Sequence, residues 1–190
     1  MKVILGLCLI FFVQMLSSCQ RAEPETYLIP SSFTGRVQII FNQNGIPYKY
    51  KNMYGKDTVY TPRLGEPIKY ENGRRIYEIP LSGILLTQFK SNPGFIDTEY
   101  YSVDSNGKRE PLEIFKFEHF KKDSAGYVVK DENQKGIFGN GTSGSIGNEH
   151  IPYQEFVVSD YKHLNGFLRM LNSAFDERVE QVLNLPHWLK

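Results

Sequence analysis

Hydrophobic and polar residues alternate with a period close to two over most of this chain, and that period predicts β-strands. The clearest cases are residues 36–41, RVQIIF, and residues 75–80, RIYEIP. The dipeptides Asn72-Gly73 and Asn106-Gly107 interrupt the alternation, and Asn-Gly is a strong signal for a tight hairpin turn. We therefore predict roughly seven strands between residues 27 and 158, several of them joined as hairpins.

The period changes near the C-terminus, where one amphipathic helix is predicted over residues 161–184. Its apolar positions, spaced by three or four residues, are Leu164, Leu168, Leu171, Phe175, Val179 and Val182. Ser159 or Asp160 can cap the start, and Pro186 prevents the helix from continuing far. The predicted fold class is α+β and β-rich, with small antiparallel sandwich-like sheets and the C-terminal amphipathic helix packed on one face.

The first residues have the pattern of an export signal. Lys2 precedes an apolar run at residues 3–15, VILGLCLIFFVQM. As a helix this run would be about 20 Å long, which is too short for the roughly 30 Å core of a bilayer. A positive charge, a short apolar run and small residues before a cleavage point are typical of a signal peptide.

The segment that follows, Leu16-Ser17-Ser18-Cys19, resembles the bacterial lipobox. In lipoproteins the cysteine thiol receives a diacylglyceryl group, and a peptidase then cuts before that cysteine. The resemblance implies that Cys19 is lipidated; the alternatives are a plain signal peptide and an uncleaved anchor. We expect a lipoprotein signal peptide at residues 1–18, a lipidated end and short tether at 19–26, and a single globular domain at 27–190.

A signal peptide that ends in a lipidated cysteine would direct the protein through the general secretion route to a membrane of the bacterial cell envelope. Gln20 is not the aspartate that favours retention at the inner membrane, so we expect the outer membrane. Two acyl chains, with palmitate among the expected ones, anchor a protein firmly, whereas a single chain binds only marginally. The expected membrane contact is therefore the lipid on Cys19.

The remaining composition excludes several kinds of chemistry. Cys8 leaves with the signal peptide and Cys19 carries the lipid, so the mature chain has no thiol for catalysis, zinc binding or a disulfide. Without Lys2 the 22 basic residues become 21, which equals the 21 acidic ones, so we expect no nucleic-acid partner. The four histidines are His119, His150, His163 and His187. They match no usual metal-ligand spacing, so we predict no metal and no cofactor.

Residues 139–144, GNGTSG, spell the dinucleotide fingerprint G-x-G-x-x-G. That motif must follow a strand and open a helix whose N-terminus binds the pyrophosphate. Pro152 follows soon after, and no helical pattern begins before residue 161, so we predict a Gly/Ser loop and no nucleotide. No serine-nucleophile motif occurs either, and we assign no catalytic residue.

A tyrosine-rich stretch is the candidate recognition surface, since tyrosine offers a broad rigid contact area with a hydroxyl group. Its predicted members are Tyr48, Tyr50, Tyr54, Tyr60 and Tyr70. Such a surface suits a sugar, a peptide or a partner protein. The alternative is that these rings simply cover a sheet edge or a loop.

Several strand and turn segments together resemble a known family. They are residues 27–37, 41–47, 70–80, 83–87, 138–139 and 153–156. The family consists of small exported bacterial proteins, many of them lipoproteins, and is recorded only as a domain of unknown function. The resemblance covers most of residues 26–160 and implies a shared fold, but it brings no catalytic residues.

These observations favour a lipid-anchored envelope protein that acts as a binding or interaction module, with an envelope protein or a glycan as its partner. One alternative is a hydrolase acting on envelope polymers, which would need a cleft with paired carboxylates or the Glu149-His150 pair. The other is a structural subunit of an envelope assembly. Whether the protein is an enzyme therefore stays open.

Replacing the lipobox cysteine tests the predicted lipidation, on which the predicted membrane localisation depends. We expect Cys19→Ala to abolish acyl-chain labelling of the protein in intact producing cells, because no other thiol lies behind a lipobox. Cys8→Ala, which removes a cysteine inside the signal peptide, should leave the labelling unchanged. Labelling that survives in Cys19→Ala would contradict the lipoprotein interpretation.

Overall fold

A computed structural model describes residues 22–51, 55–94, 96–115, 133–146, 151–164 and 173–183. Its strands are β1 (Glu25–Pro30), β2 (Gly35–Ile40), β3 (Tyr48–Lys51), β4 (Asp57–Tyr60), β5 (Tyr70–Glu71), β6 (Arg74–Glu78), β7 (Ile84–Leu86), β8 (Thr98–Val103), β9 (Arg109–Pro111), β10 (Glu113–Ile114), β11 (Gly136–Ile146) and β12 (Ile151–Ser159). One helix, α1, spans Ser173–Leu183. Residues 161–164 are also helical.

The first sheet has the strand order β5-β6-β1-β8-β9. Its central strand β1 runs parallel to both neighbours, β6 and β8. The outer strands β5 and β9 are added by antiparallel hairpins whose turns contain the predicted Asn72-Gly73 and Asn106-Gly107 pairs. Asn72 and Gly73 both have positive φ, as the tight hairpin turn requires.

The second sheet has the order β10-β11-β12-β2-β7. Strands β11, β12 and β2 are antiparallel neighbours, whereas β10 and β7 each join an edge in parallel. The predicted β-rich class is confirmed, but the two sheets are mixed rather than antiparallel. The reason is that the turn at residues 81–83 carries the chain from β6 in the first sheet to β7 in the second, so these strands do not form a hairpin.

The hydrophobic core lies between the two sheets. Strand alternation sends every second side chain inward, and the inward rows of both sheets meet there. Tyr27 and Tyr100 of the first sheet each make an edge-to-face contact with Phe156 of the second, with ring centroids 5.4 and 5.1 Å apart. The buried cluster also contains Ile29, Phe33, Val37, Ile39, Phe41, Tyr77, Ile79, Leu85, Phe89, Ile137 and Val158.

Helix α1 packs on the outer face of the second sheet, as predicted for a C-terminal helix. Leu168 and Leu171 of the helix predicted over residues 161–184 lie outside the described residues. Phe175, Val179 and Leu183 form its buried stripe and contact Ile40 and Ile151 of the sheet. An ion-pair network joins the same two elements, in which Arg36 of β2 pairs with Glu155 at 2.6 Å and with Asp176 at 2.9 Å. The helical turn at 161–164 begins at the predicted cap, because the Asp160 carboxylate accepts the His163 backbone N–H at 2.8 Å.

Residues 139–144 form part of strand β11 and not the predicted Gly/Ser loop. The register between β11 and β12 shifts between Phe138 and Thr142, where Gly139 and Gly141 adopt positive φ. This is a β-bulge, which glycine accommodates because it has no Cβ. The sequence prediction was wrong because composition alone does not separate a glycine-rich loop from a bulged strand.

Two glycines with nearly equal φ allow the cost of close packing to be separated from the strain of a positive φ. A Cβ on Gly83, φ +75°, would lie 2.3 Å from the Arg36 carbonyl oxygen, whereas a Cβ on Gly73, φ +77°, would meet nothing within 4 Å. We expect Gly73→Ala to lower the free energy of unfolding by about 1–2 kcal/mol through strain alone. Gly83→Ala should lower it by roughly a further 1–3 kcal/mol because the backbone must move.

Urea unfolding of the two variants measures the difference. Equal losses at the two positions would show that the Arg36 carbonyl can yield freely, and would contradict the described contact.

Candidate functional site

Three tyrosines form a row across the first sheet, which we call the tyrosine row. The parallel register aligns Tyr27 of β1 with Tyr77 of β6 on one side and with Tyr100 of β8 on the other. The rings stack on Tyr27, with centroid separations of 5.0 Å to Tyr77 and 4.8 Å to Tyr100. Parallel pairing without a slip therefore brings together rings that lie far apart in sequence.

A fully buried carboxylate lies beside this row. Glu25, the first residue of β1, has an exposed fraction of 0%. It accepts hydrogen bonds from the Tyr27 hydroxyl at 2.5 Å, the Tyr77 hydroxyl at 3.2 Å and the Asn92 side-chain amide at 2.9 Å. The Tyr27 hydroxyl oxygen also lies 3.2 Å from the Gln154 side-chain oxygen of the second sheet. A buried carboxylate is tolerable only with such partners, and those of Glu25 come from three segments: β1, β6 and the loop that carries Asn92.

The same burial alters the ionisation of the tyrosines. Desolvation, and after it the nearby charge of Glu25, raises the pKa of Tyr27, Tyr77 and Tyr100 well above that of a free phenol. The three rings therefore stay neutral through the physiological range, and their hydroxyls remain available as hydrogen-bond donors.

A cavity of about 310 Å³ opens at this end of the sandwich, between the two sheets. We call it the polar cavity. Its lining residues are Phe41, Ser91, Asn92, Pro93, Gly94, Ile96, Thr98, Tyr100, Asn140, Gly141, Ser143, Tyr153 and Gln154. All of these described lining residues are uncharged, and two of them, Asn92 and Gln154, are also partners in the network around Glu25 and Tyr27.

Asn92 also binds the segment that leads to the N-terminus. Its side-chain oxygen accepts the Glu23 backbone N–H at 3.1 Å, and its side-chain amide donates to the Glu23 carbonyl at 2.7 Å. The Glu23 carboxylate in turn pairs with Arg75 and accepts a hydrogen bond from Tyr70 at 3.2 Å. One asparagine therefore connects the cavity wall, the buried Glu25 and the tether.

A wider groove of about 550 Å³ lies between helix α1 and the turns at the opposite end of the sheets. It is lined by Arg36 and Phe175, and the Arg36 guanidinium is already bound by Glu155 and Asp176 and lies over the Phe175 ring. The polar cavity is the better candidate site, because its polar groups converge and are held by strands of both sheets.

A known family model matches most of this chain. Residues 21–164 match the model of a family of unknown function, DUF6843. The chain belongs to this family. The resemblance inferred from strand and turn segments is thereby confirmed. The DUF6843 match contains the tyrosine row, Glu25 and the whole polar cavity, and it ends before helix α1.

One solved structure is similar to this DUF6843 member. It is a crystal structure of a candidate lipoprotein from Bacillus anthracis, with a TM-score of 0.46 and 15% sequence identity, covering 82% of this chain and 96% of that one. No curated protein matches the chain at a significant level.

The predicted recognition tyrosines fall into two places. Tyr48, Tyr50 and Tyr60 meet on the inner face of the β3–β4 hairpin, with Tyr48 5.6 Å from Tyr60 and 6.4 Å from Tyr50 between ring centroids, and they pack against the helix-side cluster. Tyr70 lies apart, at the edge of the first sheet, with its ring against Phe89. Tyr54 lies outside the described residues, as does Cys19.

The histidines and the Glu149-His150 pair considered in the sequence add no further candidate site within the described residues. His163 is held by the Asp160 carboxylate at 2.8 Å, and no group of three or more potential metal ligands occurs among the described residues. His119, His150 and His187, and with them the Glu149-His150 pair, lie outside the described ranges. Within those ranges, no helix has the length and apolar character needed to span a membrane.

Sequence reasoning missed the residues that organise the site. Glu25 was assigned to the polar tether, although β1 begins there, and Asn92, Ser143 and Gln154 had no local signal. A usable signal did exist, since Glu25 and Tyr27 stand two residues apart and so project from the same face of a strand. Only the register with β6 and β8 shows what that face meets.

The buried phenols make stability fall at alkaline pH. Folding raises the pKa values of these three phenols, so as the pH rises they lose their protons in the unfolded chain before they do so in the folded one. In the unfolded chain this happens near the ordinary tyrosine pKa of about 10. Their contribution is complete below about pH 10 and is lost above it, by up to ~1.4 kcal/mol per pH unit for each tyrosine. Urea unfolding from about pH 8 to about pH 11.5 measures the slope.

Tyr100→Phe removes one of these phenols, so the unfolding free energy should fall less steeply above about pH 10, by the contribution of one proton. Phe156→Leu, which disturbs the same core without removing a phenol, should lower stability equally at every pH. An unchanged slope in Tyr100→Phe would contradict the assignment.

Proposed function

We propose that this protein is a lipid-anchored module of the cell envelope that binds a neutral, hydroxyl- or amide-rich ligand, such as one sugar residue of an envelope glycan, in the polar cavity. The observation that carries the proposal is the wall of the cavity, where amides and hydroxyls from both sheets converge beside aromatic rings. Pockets with a few convergent polar groups on apolar walls are typical ligand sites.

The chemistry of the wall favours an uncharged ligand. Asn140 and Gln154 each have a side-chain amide with both donor and acceptor groups, and Ser143 and Thr98 add hydroxyls. Both N–H groups of Asn92 are bound to Glu23 and Glu25, so this residue has only its side-chain oxygen left for a ligand. A sugar presents the same mixture of hydrogen-bond donors and acceptors. At about 310 Å³ the cavity has the volume of roughly ten water molecules, which is enough for a single sugar ring.

The wall is also held in place before any ligand arrives. Asn92 is fixed by Glu25 and Glu23, and Gln154 lies against the Tyr27 hydroxyl, so neither amide is free to turn. Fixed side chains lose little entropy on binding, which increases affinity. Glu25 therefore supports the cavity through Asn92, which lines it, although Glu25 itself is not a lining residue.

The proposed lipid anchor also determines where in the cell the polar cavity would lie. The lipobox-like segment ending at Cys19 supports export by the general secretion route and a lipid anchor, with the outer membrane as the proposed destination. Glu23 is held beside the cavity residue Asn92, so the anchor would bring the cavity close to the membrane that bears it.

Filling the cavity tests the proposal. Ser143 lies in register with Gln154 on the cavity wall and is itself exposed, so Ser143→Trp should fill the cavity without disturbing the core. We expect isothermal titration with di-N-acetylchitobiose to show saturable binding with a Kd of about 1 mM or tighter, and Ser143→Trp to weaken it at least about tenfold. Ser105→Trp, on the exposed β8–β9 turn, is the matched control.

Binding that is equal in wild type, Ser143→Trp and Ser105→Trp would place the ligand elsewhere. If neither this probe nor a panel of neutral mono- and disaccharides binds to wild type, the glycan proposal fails.

A further inference from the structure

Several large apolar side chains are exposed at the end of the domain where the chain enters. Ile46, Leu64, Ile68 and Tyr70 are 65%, 75%, 55% and 51% exposed. We call these four residues the tether face. Scattered exposed apolar residues are ordinary in soluble proteins, whereas a group of them at one place marks an interaction surface.

The backbone brings these residues together. Leu64 forms an isolated bridge with Asn44, and a Cβ on Gly45 would lie 3.9 Å from the Leu64 side chain, so Ile46 follows closely. The chain then crosses from the second sheet to the first. Glu66 bonds to Leu86 through its backbone N–H, and four residues later Tyr70 pairs with β6. Fully extended, residues 64–70 span at most about 20 Å, so the exposed side chains of Leu64, Ile68 and Tyr70 lie within that distance along one crossing segment.

The N-terminal segment leaves the domain beside this crossing segment. The Tyr70 hydroxyl lies 3.2 and 3.3 Å from the two carboxylate oxygens of Glu23, which is itself pinned by Arg75 and Asn92. Cys19 precedes Glu23 by four residues, and four residues span at most about 14 Å. A lipid on Cys19 would therefore hold the domain with Tyr70 close to the bilayer surface.

The charges around the crossing segment suit a membrane as well. Arg63 and Lys69 are exposed next to Leu64 and Ile68, and Glu66 is the acidic residue among them. Lys69 also pairs with the exposed Glu78. Tyrosine, arginine and lysine beside exposed apolar side chains are residue types that occur at the membrane–water interface.

We infer that the tether face rests on the bilayer that bears the Cys19 lipid, with Leu64, Ile68 and Tyr70 in the headgroup region. The inference rests on the proposed lipidation of Cys19. The anchor makes the contact intramolecular, so even weak contacts are occupied because the effective concentration of membrane is high. The domain then has a fixed orientation instead of turning freely on its tether.

Fluorescence quenching tests this orientation in the anchored protein. The mature lipidated chain has no free thiol, so a single cysteine can be placed by Leu64→Cys or Ile68→Cys and labelled with a polarity-sensitive fluorophore. Leu81→Cys is the matched control. Leu81 is 69% exposed, in the β6–β7 turn, beyond the opposite end of the first sheet from Glu23. The proteins are reconstituted in vesicles of phosphatidylglycerol and phosphatidylethanolamine that contain a lipid with a nitroxide on its acyl chain.

We expect quenching at positions 64 and 68 to be at least about threefold stronger than at position 81, and Arg63→Glu together with Lys69→Glu to reduce that contrast. Equal quenching at all three positions in vesicle-bound protein would overturn the docking inference while leaving the anchor intact. A protein that does not float with the vesicles would instead overturn the anchor, and the docking inference with it.

Discussion

The burial of the Glu25 carboxylate is the constraint on which the rest of this end of the molecule depends. A carboxylate at 0% exposure needs its lone pairs satisfied, and hydrogen bonds to a charged group are worth about 1.5–3 kcal/mol each. Tyr27, Tyr77 and Asn92 supply those bonds. They can do so only if β1 and β6 pair without a slip and the segment that carries Asn92 folds back over the start of β1.

From that constraint the other features of this end follow. The register that serves Glu25 also builds the tyrosine row, and the row forms part of the interior side of the polar cavity through Tyr100. Asn92 then joins the cavity wall to the tether. The polar cavity lies toward β8 and β11, whereas the tether face lies toward β5, so the two surfaces stand side by side. If the tether face rests on the bilayer as proposed, the polar cavity would bind its ligand close to the membrane surface.

Local chemistry determines the parts of this fold that the sequence predicted. Asn-Gly turns, period-two strands, the cap at Asp160 and the apolar positions Phe175 and Val179 of α1 all depend on a few neighbouring residues, and each appears where expected in the described part of the chain. Pairing between strands distant in sequence does not have such a signal. The parallel neighbours of β1 therefore could not be foreseen, and the Gly-rich β11 and the buried Glu25 were read from composition as a loop and a tether. The recognition tyrosines were grouped by proximity in sequence, whereas the fold places Tyr70 on a different sheet from Tyr48 and Tyr60.

The position of β1 has a mechanical consequence. The N-terminal segment at Glu23 continues directly into the central strand of a sheet, and that strand is hydrogen-bonded to a parallel neighbour along both edges. A force that pulled on the proposed Cys19 lipid would act along the axis of β1, so it would load both rows of hydrogen bonds in shear at the same time. A strand attached at an edge and pulled from its side would instead lose its bonds one after another. The strand order of the first sheet would thus let the domain bear tension at the proposed point of attachment.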